Sequence, residues 1–456
     1  MIDLKTIQQI YFIGIGGIGM SALARYFAFH GKEVSGYDKT PTNLTRALER
    51  ENISIIYDDD ETLAPKSADL VVYTPAVPAS HPQLNYYRDH DYTVAKRSDV
   101  LGAITQSSFN ICVAGTHGKT TISSMLAHIL RDSGYGCNAF LGGIAANYNS
   151  NFWSSENNTC VIEADEYDRS FLKLSPDIAV ISAMDADHLD IYGTEESMRE
   201  AFVQFGEKIK PGGKLYVKKG ISGENKFDAR KRCSYSISDS TADVVTSGIK
   251  IENGHYVFNT NINQEQIKEI VLNMGGLHNI ENATVAIAIA RQLNIVPDAI
   301  KLAVAGFKGV KRRFEYIVRT PDTIYIDDYA HHPEELTALI RSAKNLFSGF
   351  PATVIFQPHL FSRTRDFADE FAASLDLADV VLLLPIYPAR EIPIKGVTSE
   401  MIRERMSKAT VQMVSREGVI SYVRQKFSAH QPQVLVTAGA GDIDTLVEPI
   451  KQILSN

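Results

Sequence analysis

The stretch Asn110–Gly134, NICVAGTHGKTTISSMLAHILRDSG, carries the reading of the fold. Its opening, Asn110–Gly115, is a short apolar run of the kind that forms a fully buried strand. From Thr120 onward the apolar spacing is that of a helix. Between them lies Gly115-Thr116-His117-Gly118-Lys119-Thr120. A strand, a glycine turn and a helix in that order gather backbone N–H groups and a helix N-terminus around one point, which favours phosphate. Lys119 adds a neutralising charge, the Thr120 hydroxyl can ligate Mg²⁺, and Thr121 continues the helix behind it. The general G-x-x-x-x-G-K-[ST] pattern is incomplete, because Val113 stands where its first glycine would fall. A bare GK[ST] says little; the strand–turn–helix context gives it weight.

Upstream lies a second turn of the same type. The strand IYFI (10–13) runs into Gly14-Ile15-Gly16-Gly17-Ile18-Gly19, followed by the helical MSALARYFAFH and the strand KEVSGYD. Such glycines admit a diphosphate to the backbone and to the helix start, and Asp38 is placed to meet a ribose. Alone, this turn reads equally well as an NAD or FAD site. Two phosphate loops on separate segments do not suit a dehydrogenase; they suit an enzyme that brings ATP chemistry to a nucleotide-linked substrate. Downstream, Glu163, Asp165 and Glu166 end the strand CVIEADE, and Asp185, Asp187 and His188 end IAVISAMDADH. Carboxylates and an imidazole beside a phosphate loop can hold Mg²⁺ between ATP and an acceptor.

A third segment repeats the alternation of strands and helices, with TIYIDDY, ATVIFQPH, DVVLLLPI and QVLVTAGAGD as its strands. Alternation of this kind implies parallel, doubly wound sheets whose ligands lie beyond the carboxyl ends of the strands. Polar Gln106-Ser107-Ser108 breaks the first segment from the second, and GVKRRFE (309–315) leads out of the second. The expectation is therefore an α/β chain of three domains. Residues 1–107 form a Rossmann-like domain, 108–313 a central phosphate-loop domain, and 314–456 a second Rossmann-like domain. Within 214–270 the pieces KLYVKK, GIKIEN and HYVFNT alternate, and a small antiparallel patch is expected there.

At 456 residues the chain is too long for one hydrophobic core. Its 44% hydrophobic and 22% charged residues are those of a globular protein, and a net charge of −8 argues against nucleic acid as a partner. No stretch approaches the roughly 20 apolar residues of a membrane span. Cys112, Cys137, Cys160 and Cys233 lack metal-type spacing and read as buried, reduced thiols, so a cytoplasmic protein is expected.

The motifs GIGGIGMS, AGTHGKTT, EADEYD, DADHLDIYG, HNIEN, GVKRRFE, DDYAHHP, FQPH and GAGD, spread from residue 14 to residue 442, resemble those of the Mur ligase family in their order. GIGGIGMS and DADHLDIYG are most similar to the branch that joins L-alanine to UDP-N-acetylmuramate in peptidoglycan synthesis. EADEYD fits equally well the branch that attaches a recycled tripeptide to the same UDP-sugar. The resemblance implies ATP and Mg²⁺ as cofactors, UDP-N-acetylmuramate and L-alanine as substrates, and a monomer or weak homodimer. The UDP diphosphate would then sit on Gly14, Gly16, Gly17, Ile18 and Gly19, with Asp38 beside it. ATP would meet Gly115, Thr116, His117, Gly118, Lys119, Thr120 and Thr121, with Asn279 and Asn282 at the adenine and Arg312 or Arg313 at the phosphates. Asp328 would lie near the nucleotide. Thr120, Glu163 and His188 would hold metal, and His331, His359 and Arg363 would line the reaction centre with the amino acid. One departure stands out. The family commonly has arginine directly after the histidine of QPH, where this chain has Leu360. Leucine cannot make an arginine's bidentate contact, so Arg363 becomes the candidate for the amino-acid carboxylate.

Overall fold

The computed structural model describes residues 2–185, 189–389, 391–427 and 432–455. Among these, the strands form three sheets. The first, in spatial order Ser54–Ile56, Glu33–Tyr37, Gln9–Ile13, Leu70–Tyr73 and Val94–Lys96, is parallel throughout. Its strand order reverses at Gln9–Ile13, and the glycine turn leaves the carboxyl end of that strand, where such sheets open a crevice.

The second sheet centres on Phe109–Ala114, which lies between Thr159–Glu163 and Ile178–Ile181, parallel to both. Beyond Thr159–Glu163 come Asn138–Ala145, also parallel, and the antiparallel edge strand Ser150–Trp153. On the other side Lys214–Lys218 and Arg232–Ser236 continue the parallel order, and Val244–Glu252, His255–Ile262 and Glu265–Leu272 complete it. This corrects one expectation: KLYVKK is a parallel, interior strand. Leu215, Tyr216 and Val217 are all buried, and only the flanking lysines mimic alternation.

The third sheet has the order Glu315–Arg319, Thr323–Asp328, Gln433–Ala438, Ala352–Phe356, Val380–Leu383 and Thr410–Met413. It is parallel except for its first strand. By packing, the chain divides into two compact units, Met1–Ser247 with Asn259–Glu269 and Glu281–Val304, and Gly248–Phe258 with Ile270–Ile280 and Ala305–Asn456.

Within the first unit, the helix Ile18–Phe29 packs on the strands Asn138–Ala145 and Ser150–Trp153. Asn151 is fully buried there. Its amide donates to Ile18 O at 2.5 Å, and its Oδ1 accepts from Arg25 Nη1 at 2.7 Å. A buried amide left unpaired is costly, so these bonds fix the first glycine turn against the central sheet. The four cysteines are buried and free, and no helix among the described residues is long and apolar enough to cross a membrane.

Candidate active site

In the first turn, Gly14 N and Ile15 N both donate to Tyr37 O, at 2.8 and 3.0 Å. Gly16 N donates to Asp38 Oδ2 at 2.8 Å, so Asp38 shapes the turn itself. A Cβ on Gly16 would stand 2.7 Å from that carboxylate oxygen, which explains the glycine. The helix that follows starts at Ile18 with neither a side-chain cap nor an acidic residue in its first turn. Its N-terminus is thus left available to an anion.

In the second turn, Gly118 takes φ +85° and opens the helix Lys119–Asp132, again without a side-chain cap. Gly115, at φ +132°, lies so close to Ser182 that no side chain fits. Ser182 donates to His117 O, Thr116 N donates to Ala183 O at 3.1 Å, and Thr116 Oγ1 accepts from Asp185 N at 3.2 Å. The loop is therefore laced to the strand Ile178–Ile181 and the residues after it. Val113 is a buried strand residue paired with Glu163, so the missing first glycine falls before the loop begins.

Lys119 Nζ donates to Gly115 O at 2.7 Å and to Glu166 Oε1 at 2.8 Å, and Glu166 is almost wholly buried. Thr120 Oγ1 donates to Glu163 Oε1 at 3.0 Å, while Glu163 Oε2 accepts from Gly142 N at 2.9 Å. Thr120 and Glu163 are thus two adjacent hard oxygen donors, a set suited to Mg²⁺. His188 lies outside the described residues. Asn282 is buried beside the loop, and a Cβ on Gly118 would stand 2.9 Å from its Oδ1. Asp185 and His117 are exposed and 3.9 Å apart.

A cavity of about 230 Å³ connects these elements. Gly17, Ile18 and Gly19 line one part, Phe140–Gly142, Glu163 and Asp165 another, and Arg97 lies with both sets. Motif reading missed Arg97, which stands in KRSD with no phosphate-loop signature, and Gly142, whose role depends on a strand neighbour 21 residues away.

In the second unit, Asn279 is buried and its Nδ2 donates to Gly275 O at 2.6 Å. The two arginines of KRRFE differ. Arg312 takes φ +60° and donates from Nη2 to Gly439 O at 2.5 Å. Its Nε is 3.4 Å from Asp327 Oδ2, and its guanidinium lies over the Tyr329 ring. Arg313 is exposed. Asp328 accepts from Phe314 N at 2.6 Å and Ala330 N at 2.7 Å, so it also organises its own loop. Burial pushes its carboxyl up to about 6, and that of neighbouring Asp327 up to about 7.

His331, His359 and Arg363 come together. The His331 and His359 rings are 6.0 Å apart, and His359 stacks on Tyr387. Burial, then Arg363 and His331, lower the pKa of His359, which favours neutral imidazole. Arg363 Nη1 and His359 Nδ1 are both buried, and no described residue hydrogen-bonds to either. Leu360 takes φ +72°, held by its N–H to Tyr387 O at 3.0 Å and by Thr364 Oγ1 donating to its carbonyl at 2.8 Å.

Three family profiles match along the chain: Mur ligase family, catalytic domain, over residues 9–108; Mur ligase middle domain, over 113–290; and Mur ligase, glutamate ligase domain, over 312–441. The chain belongs to the Mur ligase family. It is 45% identical to a UDP-N-acetylmuramate–L-alanine ligase of Flavobacterium johnsoniae, over 99% of each chain. It is 48% identical to the enzyme of the same name from Parabacteroides distasonis, over 99% of this chain and 98% of that one. Among solved structures, the UDP-N-acetylmuramate–alanine ligase of Thermotoga maritima superposes with a TM-score of 0.80 at 27% identity, covering 97% of this chain and 98% of that one.

Proposed function

We propose that this chain ligates L-alanine to the lactyl carboxylate of UDP-N-acetylmuramate, using ATP and releasing ADP and phosphate. The observation that carries the reading is the shared cavity: the first glycine turn and Glu163, the partner of Thr120, line the same 230 Å³ space. The part of the substrate that runs from its diphosphate to its lactyl carboxylate would bridge the two. Residues 1–107 would bind the UDP-sugar, 108–313 ATP, and 314–456 the amino acid.

An ionised carboxylate is a poor acyl donor, because oxide is a poor leaving group. In the first step a carboxylate oxygen attacks the γ-phosphorus of ATP, and ADP departs. In the second, the alanine amine attacks the acyl phosphate, loses a proton and expels phosphate. Lys119 would exchange Glu166 for the ATP phosphates, and Thr120 and Glu163, with His188 on the family's pattern, would hold Mg²⁺. When bound, that ion supplies charge neutralisation for the transferring phosphoryl group. Of the two arginines, Arg313 would be the one available to the phosphates, since Arg312 is tied to Gly439, Asp327 and Tyr329. Arg363 Nη1, buried with no hydrogen-bond partner among the described residues, would donate to the alanine carboxylate, with His359 and His331 beside it.

The test is to supply ATP and UDP-N-acetylmuramate with separate amino acids or with a cell-wall tripeptide. Product with L-alanine is the expected result. Product with the tripeptide alone would move the chain to the recycling branch.

A further inference from the structure

Arg97 opens the helix Arg97–Ser107 directly after the strand Val94–Lys96. Its guanidinium lies against the first glycine turn: a Cβ on Gly19 would stand 2.9 Å from Nη1 and 3.2 Å from Cδ. The third glycine of G-x-G-x-x-G thus lets the arginine side chain lie directly against the turn. On its other side Arg97 lines a smaller recess with Ser98, Glu163, Asp165 and Ser170. Among the described residues that line either space, it is the one lysine or arginine. Neighbouring lysines are engaged elsewhere, Lys96 3.8 Å from Asp168 and Lys173 2.5 Å from Asp99.

With Mg²⁺ on Glu163 as proposed above, Asp165 remains an uncompensated acid in the cavity wall, which disfavours an anion unless a second cation offsets it. The nucleotide sugar proposed above carries two anionic groups. The diphosphate has the uncapped helix start at Ile18, since the N–H groups of Gly14, Ile15, Gly16 and Gly17 already donate to Tyr37, Asp38 and Gly14. The carboxylate must lie further in, toward Glu163 and Thr120, where the phosphoryl group arrives. Arg97 spans that interval. We propose that Arg97 grips the acceptor carboxylate of the nucleotide sugar and presents it for phosphorylation. A guanidinium fork holds both carboxylate oxygens in one plane, which fixes orientation as well as charge. This inference rests on the proposed function.

The test compares two ligands by calorimetry: UDP-N-acetylmuramate, and UDP-N-acetylglucosamine, which has the same nucleotide and amino sugar but no lactyl carboxylate. For Arg97→Ala, affinity for the first should fall about ten- to hundredfold, the range for a lost charge-assisted contact, while affinity for the second stays within about twofold. Arg97→Lys should retain part of the discrimination. Retained binding of UDP-N-acetylglucosamine also reports that each variant is folded. Equal loss for both ligands would assign Arg97 to the diphosphate and overturn the proposal, as would unchanged affinity for UDP-N-acetylmuramate. A parent protein that does not prefer UDP-N-acetylmuramate would instead refute the functional reading beneath it.

Discussion

Arg363 shows how one residue can be read twice. In sequence it is the nearest arginine to the position where Leu360 replaces the family's usual one. In the structure its Nη1 is buried with no hydrogen-bond partner among the described residues. A buried, unpaired guanidinium N–H costs free energy that an incoming carboxylate recovers. Arg363→Ala should therefore raise the KM for alanine about ten- to hundredfold and leave the KM values for ATP and the UDP-sugar nearly unchanged. Steady-state kinetics with each substrate varied in turn checks this; an alanine KM within about twofold of the parent would remove Arg363 from the site. Leu360 was legible as a lost contact, but its φ of +72° was not. Leucine carries no sequence signal for that backbone, which is imposed by Tyr387 and Thr364. Similarly, KRRFE could not say which arginine is exposed, because Arg312 is committed in part by Gly439, 127 positions away.

At the scale of elements, strand neighbours decide the chemistry. Asn138–Ala145 runs parallel to Thr159–Glu163, and this brings Gly142 N to within 2.9 Å of Glu163 Oε2. A Cβ on Gly142 would collide with that carboxylate. Gly142→Ala should therefore push Glu163 away from Thr120, raise the Mg²⁺ concentration needed for half-maximal activity about tenfold or more, and destabilise the fold by about 1–3 kcal/mol. Magnesium titrations of activity, with thermal melts alongside, would show it; an unchanged Mg²⁺ requirement would mean Glu163 is not a metal ligand. The two glycine turns and their strands were readable because glycine turns and apolar runs are local signals. KLYVKK was misread because its lysines cap a strand whose three central residues are all buried. Arg97 went unread because its task depends on which helix the sheet order sets beside Gly19.

At the scale of the molecule, both glycine turns lie in one compact unit, while the second unit carries Arg363, His359 and a buried acid at Asp327. Burial pushes the Asp327 carboxyl up to about 7, against the Thr437 hydrogen bond and Arg312, which favour ionisation. The unfolded chain releases that proton near pH 4, so the native state holds the extra proton between about 4 and 7. Stability from this group is accordingly full at low pH and is lost as pH rises through 7. Asp327→Asn should gain on the parent in urea midpoint as pH goes from about 4.5 to 8, and a constant difference across that range would contradict the assignment. The ligation itself is tested most directly by isotope transfer. UDP-N-acetylmuramate labelled with ¹⁸O in its lactyl carboxylate is incubated with the protein, ATP, Mg²⁺ and L-alanine, and the phosphate released is analysed by mass. Activation as an acyl phosphate predicts one ¹⁸O in the phosphate for each amide formed. Amide formation with unlabelled phosphate would contradict it.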